Sequence, residues 1–263
     1  MAYGWMLNSS MEVDAREING LDWILEDQWA FYDDVLAAAR ETGKPFALGG
    51  ALAWAVYCGH YRNSKDIDLY VPVELKEHFI DAVTKVGASD YYDTLPYDRG
   101  WIYRSTRDGC IVDLIWAMAN YVRPLDQDYF NGKTTLLLRG NSYPVLPAEE
   151  LILNKLYIME RGRCDWFDVF NVLYATNGKL EWKRLIAKMG DDAVLFGSAL
   201  RIFAWLCPGR VKLFPASLWD ALGIPVPDSN GPGMNARRVS SLDSRPWFIP
   251  TLQPGESLFV RRS

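Results

Sequence analysis

Residues 46–70 read FALGGALAWAVYCGHYRNSKDIDLY. Phe46 to Leu48 form an apolar run that meets two adjacent glycines, Gly49 and Gly50, and a second apolar stretch follows. The pattern predicts a short strand, a glycine turn and a buried helix. Ile67 and Leu69 then alternate with Asp66, Asp68 and Tyr70, which predicts a strand with one apolar and one acidic face. Adjacent glycines let a backbone approach a ligand closely, with N–H groups presented to phosphate oxygens. Asp66 and Asp68 are two apart on a strand, so their side chains point the same way. Aligned carboxylates repel unless a cation lies between them, which suits a hard divalent ion such as Mg²⁺. Taken alone, Asp-x-Asp reads as an ordinary exposed strand face. Combined with Gly49-Gly50, Arg62, Ser64 and a third acid on a later strand, it is far more specific. The third acid is Asp113, a lone charge in the apolar run CIVDLIW at 110–116, costly there without a partner.

The rest of the composition narrows the chemistry. The chain has 263 residues, 49% hydrophobic and 23% charged, with a net charge of −5, which is the balance of a soluble globular protein. An acidic total argues against a surface that coats nucleic acid, since that binding depends on neutralising phosphates with Lys and Arg. The charge is uneven: residues 201–263 carry +4 and residues 1–200 carry −9. Only two histidines occur, His60 and His78, and neither lies in a zinc-binding or triad pattern. Carboxylates are therefore the better candidates for chemistry. The four cysteines are widely spaced with no C-x-x-C, as expected of reduced thiols in the cytoplasm. The first twenty residues show no signal-peptide pattern, and no apolar run reaches the ~20 residues of a membrane span.

Helices are predicted over 20–43 and 74–86. Strands are predicted on either side of the Arg-Asp-Gly turn at 107–109, and a further hairpin turns at Gly140-Asn141. After Pro147 the pattern changes to helices over 148–160, 165–176, 181–189 and 192–206. This divides the chain into an α/β core over 1–146 with an N-terminal helix, a helical domain over 147–222, and an extended or partly disordered tail over 223–263, which holds 6 of the 14 prolines.

With these residues in place, the first block resembles the nucleotidyltransferase superfamily related to DNA polymerase β. Its signature is an apolar residue, Gly-Gly or Gly-Ser, a spacer, Asp-x-Asp or Asp-x-Glu, and a third acid on a later strand. The resemblance implies an α+β fold with a small mixed β-sheet flanked by helices and a helical C-terminal domain. It also implies transfer of a nucleoside monophosphate from a nucleoside triphosphate, ATP among the candidates, to a hydroxyl with Mg²⁺. A second block, LPAEELILNKL at 146–156 and ERGRCDWFDV at 160–169, looks like that of the AbiEii-like group, which includes toxin and MenT-type members. By this resemblance Asp66, Asp68 and Asp113 hold metal, and Gly49, Gly50, Arg62, Ser64 and Lys155 surround the phosphates. Asp113 or Asp165 helps remove the acceptor proton, or Asp165 is a structural partner to Arg161 or Arg163. The alternative for Asp165 and Asp168 is a helix N-cap and a surface ion pair. The acceptor is a tRNA or a protein, with a cognate antitoxin, in a toxin-like member, and a small hydroxylated molecule in a resistance-like one. The rival from another class is a non-catalytic nucleotide-binding regulatory protein of the same fold. Gly132-Lys133-Thr134 imitates the end of a phosphate-binding loop but lacks its first glycine. Tyr57, Tyr61 and Tyr70 flank the site, with packing as their default role.

Overall fold

The computed structural model describes residues 14–18, 21, 24–59, 61, 64 and 66–243. The chain falls into two units, Met1–Pro147 and Ala148–Ser263. In chain order the first unit contains β1 (Asp14–Arg16), α1 (Glu26–Glu41), β2 (Ala47–Leu48), α2 (Gly50–Cys58), β3 (Asp66–Tyr70), α3 (Lys76–Lys85), β4 (Ser89–Asp90), β5 (Ile102–Arg107), β6 (Cys110–Ile115), β7 (Thr134–Leu138) and β8 (Asn141–Pro144). The second contains α4 (Ala148–Leu156), α5 (Trp166–Ala175), α6 (Trp182–Met189), α7 (Ala193–Leu206), α8 (Ala216–Ala221) and α9 (Ala236–Leu242). The fold is α+β, as the resemblance implies.

The principal sheet has the order β2-β3-β6-β5-β4. It is mixed: β3 and β6 run parallel, and the other neighbours are antiparallel. A smaller sheet of order β1-β7-β8 joins the first through a bridge between Leu48 and Val145. Two tight hairpins set the registers. Asp108 (φ 53°) and Gly109 (φ 80°) both lie in the left-handed region between β5 and β6. Positive φ at both central positions is the turn whose twist matches its flanking strands. Arg139 and Gly140 do the same between β7 and β8, one residue before the turn that the composition suggests.

α1 starts where Leu25 is extended and its N–H donates to the Gln28 side chain (3.0 Å). Its Phe31, Tyr32, Val35, Leu36 and Ala39 are buried. α2 is apolar on every side and buried from Ala51 to Val56, as a helix enclosed by its own unit must be. In the second unit, Phe170, Trp182, Phe196, Phe203, Phe214 and Trp219 form a continuous aromatic core. α4 ends at Leu156, short of the expected 160, because Met159 pairs with Cys164 in a tight return and the Ile158 carbonyl accepts from the Asp165 N–H. The stretch from 223, expected to be an extended tail, is irregular to 235 and then forms α9, capped by Asn235 and packed against α7. Residues 244–263 lie outside the described residues. Among the described residues, no helix is long and apolar enough to cross a membrane.

Gly109→Ala places a Cβ at φ 80° in the β5–β6 turn. It is expected to cost about 1–2 kcal/mol of stability, read as a lower denaturation midpoint with an unchanged denaturant slope.

Candidate active site

Alternation along β3 buries Ile67 and Leu69 and turns Asp66 and Asp68 to the other face. Register then decides what they meet. Asp68 stands directly opposite Asp113 on parallel β6, and Asp113 stands directly opposite Arg104 on antiparallel β5. Asp68, Asp113 and Arg104 therefore form one row across three strands. Like charges directly opposite each other destabilise a sheet, and a cation in the same row offsets this. Arg104 supplies it through a two-pronged pair: Nε donates to Asp113 Oδ1 (2.8 Å) and Nη2 to Asp113 Oδ2 (2.6 Å). The same Nη2 is 3.8 Å from Asp66 Oδ2. The Asp113 side chain is 3% exposed, against 29% for Asp66. The hydrogen bond to Asp113 raises the Arg104 pKa, prevailing over the burial that would lower it. Ser64 Oγ donates to Asp66 Oδ1 (2.7 Å), so Ser64 orients a carboxylate in this structure.

The glycines are explained by the acids beside them. The Gly49 N–H donates to the Asp68 carbonyl (2.9 Å), fastening the turn to β3. Gly50 has φ +49°, and a Cβ there would overlap the Asp68 carboxylate. A Cβ on Gly49 would run into the Tyr70 ring, which stacks on Tyr129 (centroids 6.1 Å apart). The turn thus brings the first turn of α2, whose N–H groups have no intrahelical partners, up to Asp68. The three tyrosines pack. Tyr61 and Tyr70 are buried, and the Tyr57 hydroxyl donates to the Leu146 carbonyl (2.7 Å).

The residues fit a divalent cation in part. Asp66 and Asp68 are hard, partly exposed oxygen donors on one face of β3. Asp113, the third acid that the sequence reading names, is buried in the same row, and both its oxygens accept from Arg104. Among the described residues, no group of three or more acids, cysteines or histidines has the closeness of a metal cluster. Arg62 and His60 lie outside the described residues.

In the second block Asp165 is the ion-pair partner of Arg163, one of the two roles the sequence offers it. The Lys155 ammonium is buried in the second unit, 3.0 Å from Asp165 Oδ2 and 2.5 Å from Asp168 Oδ2. Arg163 makes a two-pronged pair with the same Asp165 (2.8 and 2.9 Å). Asp165 stands at the N-terminus of α5 but does not cap it. Burial pushes its pKa up, but the Arg163 hydrogen bonds and the Lys155 charge outweigh this and hold it at about 2. Lys155 thus ties α4 to α5. Asp165 is a poor proton acceptor.

Arg104 is the site residue that the motif reading passes over. Its signal is in the turn: a two-residue reversal at 108–109 pairs Arg107 with Cys110, and counting back places Arg104 opposite Asp113.

No protein-family model matches the sequence, and no curated protein matches it. Among solved structures, the chain is similar to the antibiotic-resistance factor ANT(2'')-Ia (16% identity over 69% of this chain and 95% of that one, TM-score 0.41). It is also similar to the lincosamide antibiotic adenylyltransferase LnuA in its lincomycin-bound form (15%, 57% and 96%, TM-score 0.41) and to JHP933 from Helicobacter pylori (14%, 70% and 92%, TM-score 0.33). These likenesses are distant, and the chemistry of the site rests on its own residues.

Gly50→Ala is expected to lower the unfolding free energy by about 2 kcal/mol or more, since it adds left-handed strain to a clash with Asp68. Thermal unfolding of the variant checks this. Asp165 has its folded pKa lowered from 3.8 to about 2, so its contribution is present above pH ~4 and lost as pH falls through ~2. The lost amount is about 2 kcal/mol. Asp165→Asn should be less stable than the parent at pH 6, with the gap narrowing on acidification. Parallel denaturant titrations at pH 6 and at about pH 2 read the gap.

Proposed function

We propose that the protein is a nucleotidyltransferase that moves a nucleoside monophosphate from a nucleoside triphosphate to a hydroxyl of a small molecule. The observation that carries this reading is the fit of Gly50 against Asp68. A glycine turn entering a helix is held against one of two aligned carboxylates, at a position where any side chain would displace that carboxylate.

The roles follow from that arrangement. Asp66 and Asp68 are the residues that would hold a Mg²⁺ ion, and Ser64 fixes the Asp66 rotamer. When bound, such an ion supplies Lewis-acid polarisation of the phosphate oxygens. The first turn of α2, with Gly49 and Gly50, faces phosphate oxygens with backbone N–H groups. In the transfer, the acceptor oxygen forms a bond to the α-phosphorus, and the bond from that phosphorus to the bridging oxygen breaks. Pyrophosphate leaves and the hydroxyl proton passes to solvent water. Arg104 holds Asp113 in place beside Asp68 through its two-pronged pair. The −9 carried by residues 1–200, which include the glycine turn and the strand acids, supports a small acceptor over an extended RNA surface, while the +4 of residues 201–263 weighs the other way.

The test is incubation of the full chain with Mg²⁺, each α-labelled triphosphate and a cell extract, with mass spectrometry of the labelled product. Label on a small hydroxylated molecule is the expected outcome. Asp66→Asn and Asp68→Asn should each lower the rate at least about 100-fold, the scale of losing one electrostatic element of a transfer site. Label on tRNA or protein would replace the acceptor class and revive the toxin-like reading. Binding of a triphosphate with no transfer would turn the reading to a regulatory nucleotide-binding protein, and neither binding nor transfer would sink it.

A further inference from the structure

We infer that the second unit carries a binding site for a small organic anion, whose carboxylate or phosphate faces Arg201 and Arg238 and whose apolar ring lies against Trp205. All its residues belong to the second unit, and none of them enters the transfer chemistry proposed above.

The site is a cleft of about 530 Å³ bounded by α7, the irregular segment 224–232 and α9. Small-molecule sites usually measure about 300–1,000 Å³. Arg201 and Trp205 are four apart on α7 and share one face of it. Arg238 reaches the same place from α9. Its Nη1 donates to the Trp205 carbonyl (2.6 Å), and its guanidinium lies over the Trp205 ring, 5.2 Å from the centroid. That anchor uses one nitrogen and leaves Nε and Nη2 to donate to a ligand. Among the described residues, Arg201 has neither an acidic partner nor a hydrogen bond. Trp205 is 43% exposed, whereas Trp182 and Trp219 of the same unit are buried. Its indole therefore presents apolar surface to the cleft beside two guanidiniums.

The cleft is preformed. The segment 224–232 has no helix or strand, yet it is pinned along its length. The Ile224 N–H donates to the Trp219 carbonyl (2.9 Å), the Gly209 N–H to the Pro232 carbonyl (2.9 Å), and the Asn235 N–H to the Leu206 carbonyl (2.8 Å). A Cβ on Gly209 would lie 2.7 Å from the Gly231 carbonyl oxygen, so the two backbones are in contact. Pro225, Pro227 and Pro232 fix φ along the segment. A wall held in this way needs little ordering when a ligand arrives.

Charge selects the class of ligand. The two guanidiniums stand against one acid in the lining, Asp228, whose Oδ1 accepts from the Asn230 N–H (2.9 Å). A cation would be repelled by both arginines, and a neutral ring would leave their N–H groups unused. A carboxylate or phosphate matches the guanidinium fork, and Trp205 and the prolines take the apolar body.

The probes are 1-naphthoate and 1-naphthyl phosphate, titrated calorimetrically into the full chain, with 1-naphthamide as the uncharged counterpart. One anion per chain is expected, and the tighter of the two names the head group. Naphthamide should bind at least about 10-fold more weakly, the scale of a charge-assisted hydrogen bond. Arg201→Gln should weaken the tighter anion about 10-fold and leave thermal unfolding unchanged, because that side chain holds no other group. Arg238→Gln should weaken it as well, with circular dichroism verifying that the variant folds. Trp205→Leu should weaken all three probes at least about 3-fold through the lost ring contact. An anion that binds Arg201→Gln as tightly as the parent overturns the inference. So does naphthamide that binds as tightly as the anions, and so does the absence of binding by either anion at millimolar concentration. The transferase reading is decided separately by the label-transfer assay.

Discussion

A carboxylate that is almost fully enclosed must either be neutralised or be given a cation, and Asp113 is given one. Its partner comes from the adjacent strand, in the same row, with both N–H prongs of the guanidinium used. This pair makes the rest of the first unit's site workable. With Arg104 in place, β6 can run directly beside β3, although that register sets Asp113 against Asp68. With β3 held there, the β2 end and the glycine turn close down onto Asp68. Breaking the pair on one side only would leave a buried charge, at a cost of about 3–5 kcal/mol.

The second unit repeats the theme with different partners. Glu150 is fully buried on α4 and paired with Arg184 and Lys188 of α6, which counter the burial that raises its pKa. Lys155, one helical face away, is paired with Asp165 and Asp168. α4 is therefore tied by ion pairs to the helices around it, in addition to its apolar contacts. Buried pairs of this kind add less stability than their distances suggest, because both ions lose water. What they add is selectivity for one packing, since any other would strand a charge.

Much of this was open to reading from residues alone. The glycine turn, the alternation at Asp66–Leu69 and the lone acid at 113 have local causes, namely backbone freedom, strand period and the cost of an isolated charge. The helices of the second unit follow from apolar spacing and glycine breaks. What local pattern could not supply was the partners. That Lys155 lies against Asp165 and Asp168 depends on how α4 and α5 pack. That Asp113 stands opposite Arg104 depends on the register of β5 on β6. β1 and β4 are three and two residues long and have no period to detect. α9 is hidden by its setting, a helix of seven residues after a proline-rich run.

The hairpin at 108–109 carries a further consequence. Because opposite residues on paired strands must point to the same side, pairing depends on whether the count around the turn is odd or even. β6 is held by β3 on its other edge and cannot turn over. A one-residue insertion at the turn, if not absorbed as a bulge, would therefore invert β5 and send Arg104 to the apolar face, stranding Asp113. A two-residue insertion can lengthen each strand by one residue and keep both the faces and the Arg104–Asp113 pairing. Surface turns are ordinarily where chains lengthen and shorten most freely. In this protein the parity of one exposed turn sets the charge of the site, so changes of length there act as electrostatic mutations.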